Sequence, residues 1–392
     1  AEICSVKVTL ENNMVFEQLL ELMRTQKASD LFITAGRPAA LKIDGKIKDV
    51  SKKPLTEEQS MLLVKNIMTQ RQRDDFDNTK ECNFAISRSG LGRFRVSAFT
   101  QRDAAGMVLR RIESDIPDWE SLHLPPTLKD VIMENRGLVL FVGATGTGKS
   151  TSLASLIKYR NQNSSGHIIT IEDPIEFVHP HLGCIITQRE VGMDTESYEV
   201  ALKNTLRQAP NVILIGEIRT RETMMHALAF AETGHLCLST LHANNANQAL
   251  DRILHFFPED MHSQVFMDLS LNLKAIIAQQ LVARADGKGR YPVMEILLGT
   301  PLVSDLIRKG DVHKLKELMK SSKELGMQTF DQALYDLYTS GKISYEDAIN
   351  AADSKNEVRL MIKLGAQTNF AAGDQEINLT NIEEGESRNL RF

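Results

Sequence analysis

The pattern of apolar and polar positions divides the 392-residue chain into two parts of different character. In the first part, residues 81–112 alternate between apolar and polar, which is typical of antiparallel strands with one buried face. Gly90-Leu91-Gly92 supplies a turn within this segment. Residues 40–44 and 46–50 show a similar pattern on either side of a second turn, Asp44-Gly45. We therefore predict two antiparallel hairpins in the first part of the chain.

Helical patterns accompany these strands. Apolar residues recur at helical spacing over 14–26, and a helix is predicted over 56–70, with Thr56 as N-cap and acidic residues in the first turn. Together these elements predict an α+β domain with an antiparallel sheet over residues 14–112. Short polar residues and a proline follow, so we expect a linker at 113–119 that acts as a hinge.

The second part of the chain, from about residue 120, contains short runs of apolar residues separated by helical patterns. Such runs are typical of buried parallel strands, and the helices between them provide the crossover connections. The runs occupy 138–142, 168–171, 212–215 and 236–238. We predict an α/β core over 120–300 and a helical region over 301–364. Residues 365–392 carry few large apolar side chains, which predicts a flexible tail.

Composition and charge exclude several classes of function. The chain is 42% hydrophobic and 25% charged, with a net charge of −5, so nucleic acid and anionic membranes are not indicated as main partners. No uncharged apolar run reaches the roughly 18 residues that span a bilayer, and the first residues lack the pattern of a signal peptide. The four cysteines lack zinc spacing and indicate no disulfide framework. We expect a cytoplasmic protein.

The strongest chemical signal is a Gly-rich segment of the form GxxxxGKS between an apolar run and a helical pattern. The residues predicted to contact a nucleotide are Gly143, Ala144, Thr145, Gly146, Thr147, Gly148, Lys149, Ser150 and Thr151. In such a loop, backbone N–H groups and the helix N-terminus bind phosphate oxygens. We expect Lys149 to reach the β- and γ-phosphates of ATP and Ser150 to hold Mg²⁺.

The acidic partner of this loop is predicted at the end of the run 212–215, where Glu217 follows Gly216. P-loop enzymes commonly carry an Asp at this place that supports Mg²⁺. Glu217 is instead a candidate base that orients or activates the attacking water, the alternative being a solvated carboxylate at a strand end. Because that Asp is missing, Mg²⁺ needs ligands from elsewhere in the chain.

Three carboxylates directly after the run 168–171 are candidates for that task. They belong to Glu172, Asp173 and Glu176. In α/β sheets the carboxyl ends of the strands line the ligand crevice, so these side chains are predicted to face the nucleotide and its metal. The alternative is an ordinary surface turn.

Two histidines flank the run 236–238. His242 falls at the carboxyl end of the predicted strand, near the expected γ-phosphate, which it could sense through a hydrogen bond. His235 lies at the opposite end and is predicted to order local structure or a subunit contact. In the first domain, Arg95 and Arg110 lie on adjacent predicted strands. An arginine from a neighbouring subunit can stabilise charge on a transferring phosphoryl group, and the alternative is a solvated polar face.

Taken together, these segments resemble the type II/IV secretion ATPases. The resemblance extends from residue 14 to about 360 and is strongest to the type IV pilus retraction branch, the PilT/PilU family. The segments that carry it are 28–31, 143–151, 170–177, 207–210, 216–219 and 233–243. The resemblance implies an N-terminal PAS-like domain followed by a RecA-like P-loop ATPase core with a C-terminal helical region.

The resemblance also implies roles and partners. Glu172 belongs to an "Asp box", Glu217 to a Walker B segment and His242 to a "His box", and all three contribute to the ATP site. Arg95 and Arg110 match best the N-terminal arginines that complete this site from a neighbouring subunit. The implied assembly is a homo-hexamer at the inner-membrane pilus base. It would contact a membrane platform protein peripherally, and the charge balance already speaks against nucleic acid as a partner.

Departures from the family pattern refine the prediction. The four-cysteine zinc module and the longer N-terminal region of assembly ATPases are missing, which favours retraction. Within 301–309, Asp305 replaces an Asn of the retraction motif and its first Arg is missing, which together with the extra tail is more similar to PilU. An accessory motor beside a PilT-type paralogue is therefore expected. A pilus assembly or type II secretion ATPase and a weakly hydrolysing nucleotide-binding regulatory subunit remain alternatives.

Overall fold

The computed structural model describes residues 16–43, 45–112 and 115–370. These residues form two units, each discontinuous in sequence. The first takes its described residues from 1–121, 128–138 and 150–240, and the second from 122–127, 139–149 and 241–392. The domain boundaries expected from the sequence stay predictions.

The first part of the chain forms a six-stranded sheet in which all neighbouring strands are antiparallel. The order across the sheet is β3-β2-β1-β6-β5-β4. The strands are β1 (Asp30–Thr34), β2 (Ala40–Ile43), β3 (Lys46–Asp49), β4 (Glu81–Arg88), β5 (Gly92–Gln101) and β6 (Ala104–Ile112). The predictions of an antiparallel sheet, of strands over 81–112 and of the hairpin after residue 40 are confirmed.

Three helices accompany this sheet: α1 (16–25), α2 (Glu57–Asn66) and α3 (Gln70–Thr79). The start of α2 is fixed by a capping box, in which Thr56 Oγ1 accepts from the Gln59 N–H and the Gln59 side chain accepts from the Thr56 N–H. The helix predicted over 56–70 with Thr56 as N-cap is confirmed as α2, which ends at Asn66, and α3 is an additional helix. The helices and the sheet share a core that includes Leu20, Met23, Leu31, Phe76, Phe84, Phe94 and Val96.

The α/β part begins with α4 (Thr127–Met133) and the fully buried strand β7 (Gly137–Val142). Four further strands lie in the order β11-β10-β8-β9, and the neighbouring pairs are parallel. They are β8 (Gly166–Glu172), β9 (Cys184–Glu190), β10 (Val212–Ile215) and β11 (Leu236–Leu241). The four apolar runs are therefore confirmed as strands, and β9 is an addition.

Helices follow most of these strands, as the crossover pattern predicts. They are α5 (Lys149–Asn163), α6 (Tyr198–Thr205), α7 (Arg221–Glu232), α8 (Ala246–Leu254) and α9 (His262–Asn272). Lys158 of α5 donates to the Ile116 carbonyl at 2.8 Å and pairs with Asp118 at 2.8 Å. The described residues of the predicted linker, 115–119, are thus held against α5, while residues 113 and 114 lie outside the described part.

In the second unit, β12 (Leu273–Ala283) pairs antiparallel with β13 (Arg290–Leu298) and has β7 as its other neighbour. Five helices follow, and they confirm the helical region predicted over 301–364. They are α10 (Pro301–Arg308), α11 (Leu315–Ser321), α12 (Phe330–Thr339), α13 (Tyr345–Ala351) and α14 (Lys355–Phe370). Helix α14 enters the segment predicted as a tail, whose residues 371–392 lie outside the described part. Among the described helices, none has the length and apolarity to cross a bilayer.

Candidate nucleotide-binding site

The Gly-rich segment has the structural context that its sequence predicts, because it connects the buried strand β7 to the first turn of α5. Two of its glycines are required by the backbone. Gly146 and Gly148 have φ values of +80° and +86°, which L-residues with a side chain adopt rarely. The loop therefore has the tight, backbone-exposing turn on which phosphate binding depends.

Lys149 opens α5 and is almost completely buried. Its ammonium group donates to the carbonyl oxygens of Gly143 and Ala144, both at 2.8 Å. Thr147 Oγ1 also donates to the Ala144 carbonyl, at 2.9 Å. The loop thus closes around its own lysine, which places a positive charge where the sequence predicts phosphate.

A cavity of about 480 Å³ lies beside this loop within the second unit. It is lined by Ala144, Thr145, His242, Ala243, Asn244, Gln248 and Arg252. The structure therefore brings His242 and the P-loop together, as the sequence predicts. Gln248 and Arg252 belong to α8 and were not predicted. The signal for them is the spacing of four residues, which places both side chains on one face of a helix that follows the His242 segment.

The acidic residues form a group of their own in the first unit. Because β8 and β10 are parallel and Ile171 is in register with Ile215, Glu172 and Glu217 leave the sheet at the same edge. The two chain segments approach closely here, since a Cβ on Gly216 would lie 3.1 Å from Glu172 Cα. The carboxylates that follow the two strands thus lie at one edge of this part of the sheet, and their predicted role at the nucleotide and its metal stays a prediction.

Glu172 is the carboxylate of this group whose pKa is clearly shifted. Its carboxylate accepts from Thr170 Oγ1 at 2.7 Å and from Gln188 Nε2 at 3.2 Å. Burial raises its pKa to about 7, although both hydrogen bonds act in the opposite direction. The nearby carboxylate of Glu176 raises the pKa further. Glu172 can therefore change protonation state near neutral pH.

Glu217 forms an ion pair with Arg219, and this pair raises the pKa of the guanidinium. The hydroxyl of Tyr198 lies close to this group, and burial raises its pKa, with Asp173, Glu217 and Glu172 adding to the effect. In the described residues, no three or more His, Cys, Asp and Glu side chains are arranged to hold a metal ion. The carboxylates of 172–176 thus form no complete metal cage by themselves.

His235 and Arg110, two of the remaining candidates, have local hydrogen-bond partners. His235 Nδ1 lies 3.2 Å from Thr233 Oγ1 and 3.3 Å from the Phe230 carbonyl oxygen, contacts that order the turn after α7. Arg95 and Arg110 lie directly opposite each other on β5 and β6, so the prediction of adjacent strands is confirmed. Arg110 Nε also donates to Asp30 Oδ1 at 2.8 Å.

A comparison with protein families identifies the chain at this point. Residues 9–335 match the family described as type II/IV secretion system protein. The chain belongs to this family. The matched range contains the P-loop, both acidic segments and His242. The candidate site therefore lies entirely within the part of the chain that matches the family.

Two relatives from Pseudomonas aeruginosa refine the relationship within the family. The chain is 67% identical to the type IV pilus ATPase PilU over 355 residues, which cover 91% of this chain and 93% of PilU. It is 41% identical to the type IV pilus retraction ATPase PilT over 335 residues, which cover 86% of this chain and 97% of PilT. The similarity thus extends over nearly the whole of both relatives.

Two solved structures are also similar to the chain. The pilus retraction motor PilT with bound ADP matches with a TM-score of 0.80 and 40% identity, over 87% of this chain and 98% of that one. The ATPase DotB of Legionella pneumophila matches with a TM-score of 0.72 and 25% identity, over 90% and 96% of the two chains. The α/β fold with mixed sheets is thus that of a PilT-like ATPase.

Proposed function

We propose that this chain hydrolyses ATP to power the retraction of type IV pili. The observation that carries the proposal is the loop 143–150, in which Lys149 is buried against two loop carbonyls beside a cavity that His242 also lines. This arrangement supports the binding of a nucleotide by its phosphates. The likeness to PilU and PilT supports the assignment to pilus retraction.

Residue roles in this proposal follow the chemistry of each group. Backbone N–H groups of 143–151 bind the ATP phosphates, and Lys149 moves from its loop carbonyls to the β- and γ-phosphates. His242 hydrogen-bonds the γ-phosphate from the opposite side of the cavity. Glu217 orients the attacking water and accepts its proton, and the ion pair with Arg219 fixes the position of its carboxylate.

Mg²⁺ is the cofactor that the donor set fits. The oxygen donors of Ser150, Glu172, Asp173 and Glu176 suit a hard cation, which binds few protein ligands and takes the rest from phosphates and water. This agrees with the incomplete carboxylate cage. When bound, Mg²⁺ neutralises charge that develops on the phosphoryl oxygens. Glu172, whose pKa is about 7, must be deprotonated to take part.

The proposed architecture is a hexameric ring, with residues 14–112 as a PAS-like domain and 120–300 as a RecA-like core. Arg95 and Arg110 of one subunit act on the nucleotide of the next. Their pairing across β5 and β6 supports a joint role, because directly opposed residues of neighbouring strands lie on the same face of the sheet. ATP binding and release then change the relation of the two domains, provided that ATP and ADP favour different arrangements.

Within pilus retraction, we assign the chain a PilU-like accessory role beside a PilT-type motor. It works at the cytoplasmic side of the inner membrane, against the platform protein of the pilus base. The substitution at Asp305 supports this role, since its carboxylate pairs with Arg308 and Lys309 at 2.6 Å each and so changes the charge that α10 presents. A retraction assay in cells that retain only this paralogue tests it, and independent strong retraction would contradict it.

The enzymatic part is tested by phosphate release from the purified full-length chain, alone and with a PilT-type partner. We expect the parent chain to release phosphate from ATP and the Lys149→Ala variant to release none. Equal rates of phosphate release from the parent and the variant would contradict the proposal. Deleting the gene tests the assembly alternative. Piliated cells with poor twitching support retraction, whereas loss of pili would support assembly.

A further inference from the structure

Gln279 is a polar residue at a place where the fold would ordinarily carry an apolar one. It lies in the middle of β12, opposite Met294 of β13, and only 3% of its surface is exposed. The residues before it in the strand, from Ala275 to Ala278, are all buried and apolar. A buried carboxamide is costly unless it is hydrogen-bonded, so its contacts should explain why it is there.

Those contacts are with the P-loop. Gln279 Nε2 donates to the carbonyl oxygen of Thr147 at 2.8 Å, across 132 residues of sequence. A Cβ on Gly148 would lie 2.9 Å from the same Nε2, and a Cβ on Gly143 would lie 2.6 Å from the Gln279 carbonyl oxygen. Gln279 therefore lies against the loop near both of its ends, and at Gly143 its backbone leaves no room for a side chain.

The hydrogen bond to Thr147 has a consequence for phosphate binding. The peptide group that joins Thr147 to Gly148 is planar and trans, so its C=O and N–H point in opposite directions. Because the Thr147 carbonyl points toward Gln279, the N–H of Gly148 points away from it. The carboxamide thus fixes the direction of one of the backbone donors on which a phosphate loop depends.

The other end of the carboxamide indicates that this contact serves binding rather than folding. Gln279 Oε1 is buried and has no hydrogen-bond partner among the described residues. A buried acceptor without a partner lowers stability, and an apolar side chain of similar shape would avoid that loss. From these contacts we infer that Gln279 is a positioning residue for nucleotide binding, which holds the P-loop in its phosphate-binding shape.

The next residue in the strand provides a matched control. Gln280 Nε2 donates to the Ala351 carbonyl at 3.0 Å, at the end of α13 and away from the P-loop. Gln280→Leu and Gln279→Leu each remove one hydrogen bond from a side-chain amide to a backbone carbonyl on the same strand. A loss of affinity that reflects only a weakened strand would therefore occur in both variants.

The test is the affinity of the full-length chain for fluorescently labelled ADP, measured with the melting temperature of each variant. We expect Gln279→Leu to raise the Kd for ADP at least 10-fold with little change in melting temperature, and Gln280→Leu to change the Kd less than twofold. An unchanged Kd in Gln279→Leu would overturn the inference, and so would an equal loss in both variants. If Gln279→Leu does not fold, Gln279→Glu, which keeps the size but loses the donor, must show the same increase.

This inference rests on the proposed role of the loop 143–150, and Lys149→Ala separates the two. If Lys149→Ala binds ADP as tightly as the parent, the proposed site itself is wrong. If Lys149→Ala loses ADP while Gln279→Leu keeps it, the site stands and only the role of Gln279 fails.

Discussion

Glu217 and Arg219 form an ion pair between a nearly buried carboxylate and an exposed guanidinium, with side-chain exposures of 13% and 64%. The backbone between them is also fixed, since the Ile218 N–H donates to the Thr240 carbonyl at 2.9 Å and Thr240 Oγ1 donates to the Gly216 carbonyl at 2.7 Å. The position of the carboxylate proposed as the base is therefore fixed by the ion pair with Arg219 and by the hydrogen bonds of the neighbouring backbone to Thr240.

Replacement of Glu217 by Gln should stop hydrolysis and preserve binding. The amide keeps the shape of the side chain but cannot accept a proton from water, so we expect kcat to fall by about 10²–10⁴-fold. The Kd for ADP should stay within about threefold of the parent. Phosphate release and ADP titration on the same preparation check both values. Undiminished turnover in a contaminant-free Glu217→Gln preparation would rule out Glu217 as the base.

Glu172 should make stability depend on pH in one direction. Its pKa is about 7 in the folded chain against an ordinary value of 4.5, so the folded state binds the proton more tightly. Its contribution to stability is therefore complete below about pH 4.5 and is lost as the pH rises through about 7. The Glu172→Gln variant should not lose stability in this way. The melting temperature of the variant relative to that of the parent should therefore rise between pH 5 and pH 8.

The measurement is thermal unfolding of both proteins in buffer with a chelator, so that no metal binds the carboxylates. A shift from 4.5 to 7 corresponds to at most about 3 kcal/mol at high pH. Glu295, whose pKa burial also raises to about 7, is present in both proteins and cancels in the difference. A difference in melting temperature that stays constant with pH would show that Glu172 does not titrate in this range.

Arg95 should act on the site of a neighbouring subunit. We expect Arg95→Ala to lower kcat at least 10-fold, because charge on the transferring phosphoryl group loses its stabilisation. Mixing Arg95→Ala with Glu217→Gln subunits should then recover part of the activity, since some sites would combine an intact Glu217 with an intact Arg95. The measurement is the rate of phosphate release from the mixture, compared with the rate from each variant alone. If mixing restores nothing although the subunits exchange, Arg95 does not act in trans.

Arg110 should contribute to the stability of the N-terminal sheet through Asp30. The Asp30 side chain is only 4% exposed, and removal of Arg110 leaves its carboxylate with the Ser29 hydroxyl, at 2.9 Å, as its remaining side-chain partner in the described residues. Because Arg110 itself is 69% exposed, we expect Arg110→Ala to cost about 1 kcal/mol. Chemical denaturation measures the change, and in an Asp30→Asn background the cost should be smaller. An equal cost in both backgrounds would show that the ion pair is not its cause.

Much of the fold could be predicted because its strongest elements carry clear local patterns. The four apolar runs became β7, β8, β10 and β11, and the alternation over 81–112 became three strands. The missed elements lack such patterns. Helix α3 has the sequence QRQRDDFDNT and buries only Phe76, so its apolar face is too small to recognise. Strand β12 is too nearly continuous in apolar residues to be distinguished from a buried helix by periodicity.

The candidate site could be predicted where a motif is contiguous in sequence. The loop 143–150 is of this kind, and the alternation over 81–112 places Arg95 and Arg110 on adjacent strands. Gln279, Gln248 and Arg252 could not be found in this way, because their importance depends on which parts of the chain lie next to the loop. The contact between Gln279 and Thr147 joins residues 132 positions apart, and no local pattern indicates such a contact.

The most direct test of the proposed motor is pilus retraction in cells that carry Glu217→Gln in place of the parent chain, with any PilT-type paralogue left intact. Retraction events and force are measured on single cells, with surface pili counted as the control for assembly. The proposed function predicts normal piliation with fewer or weaker retractions. Retraction indistinguishable from that of the parent, at equal protein levels, would contradict it.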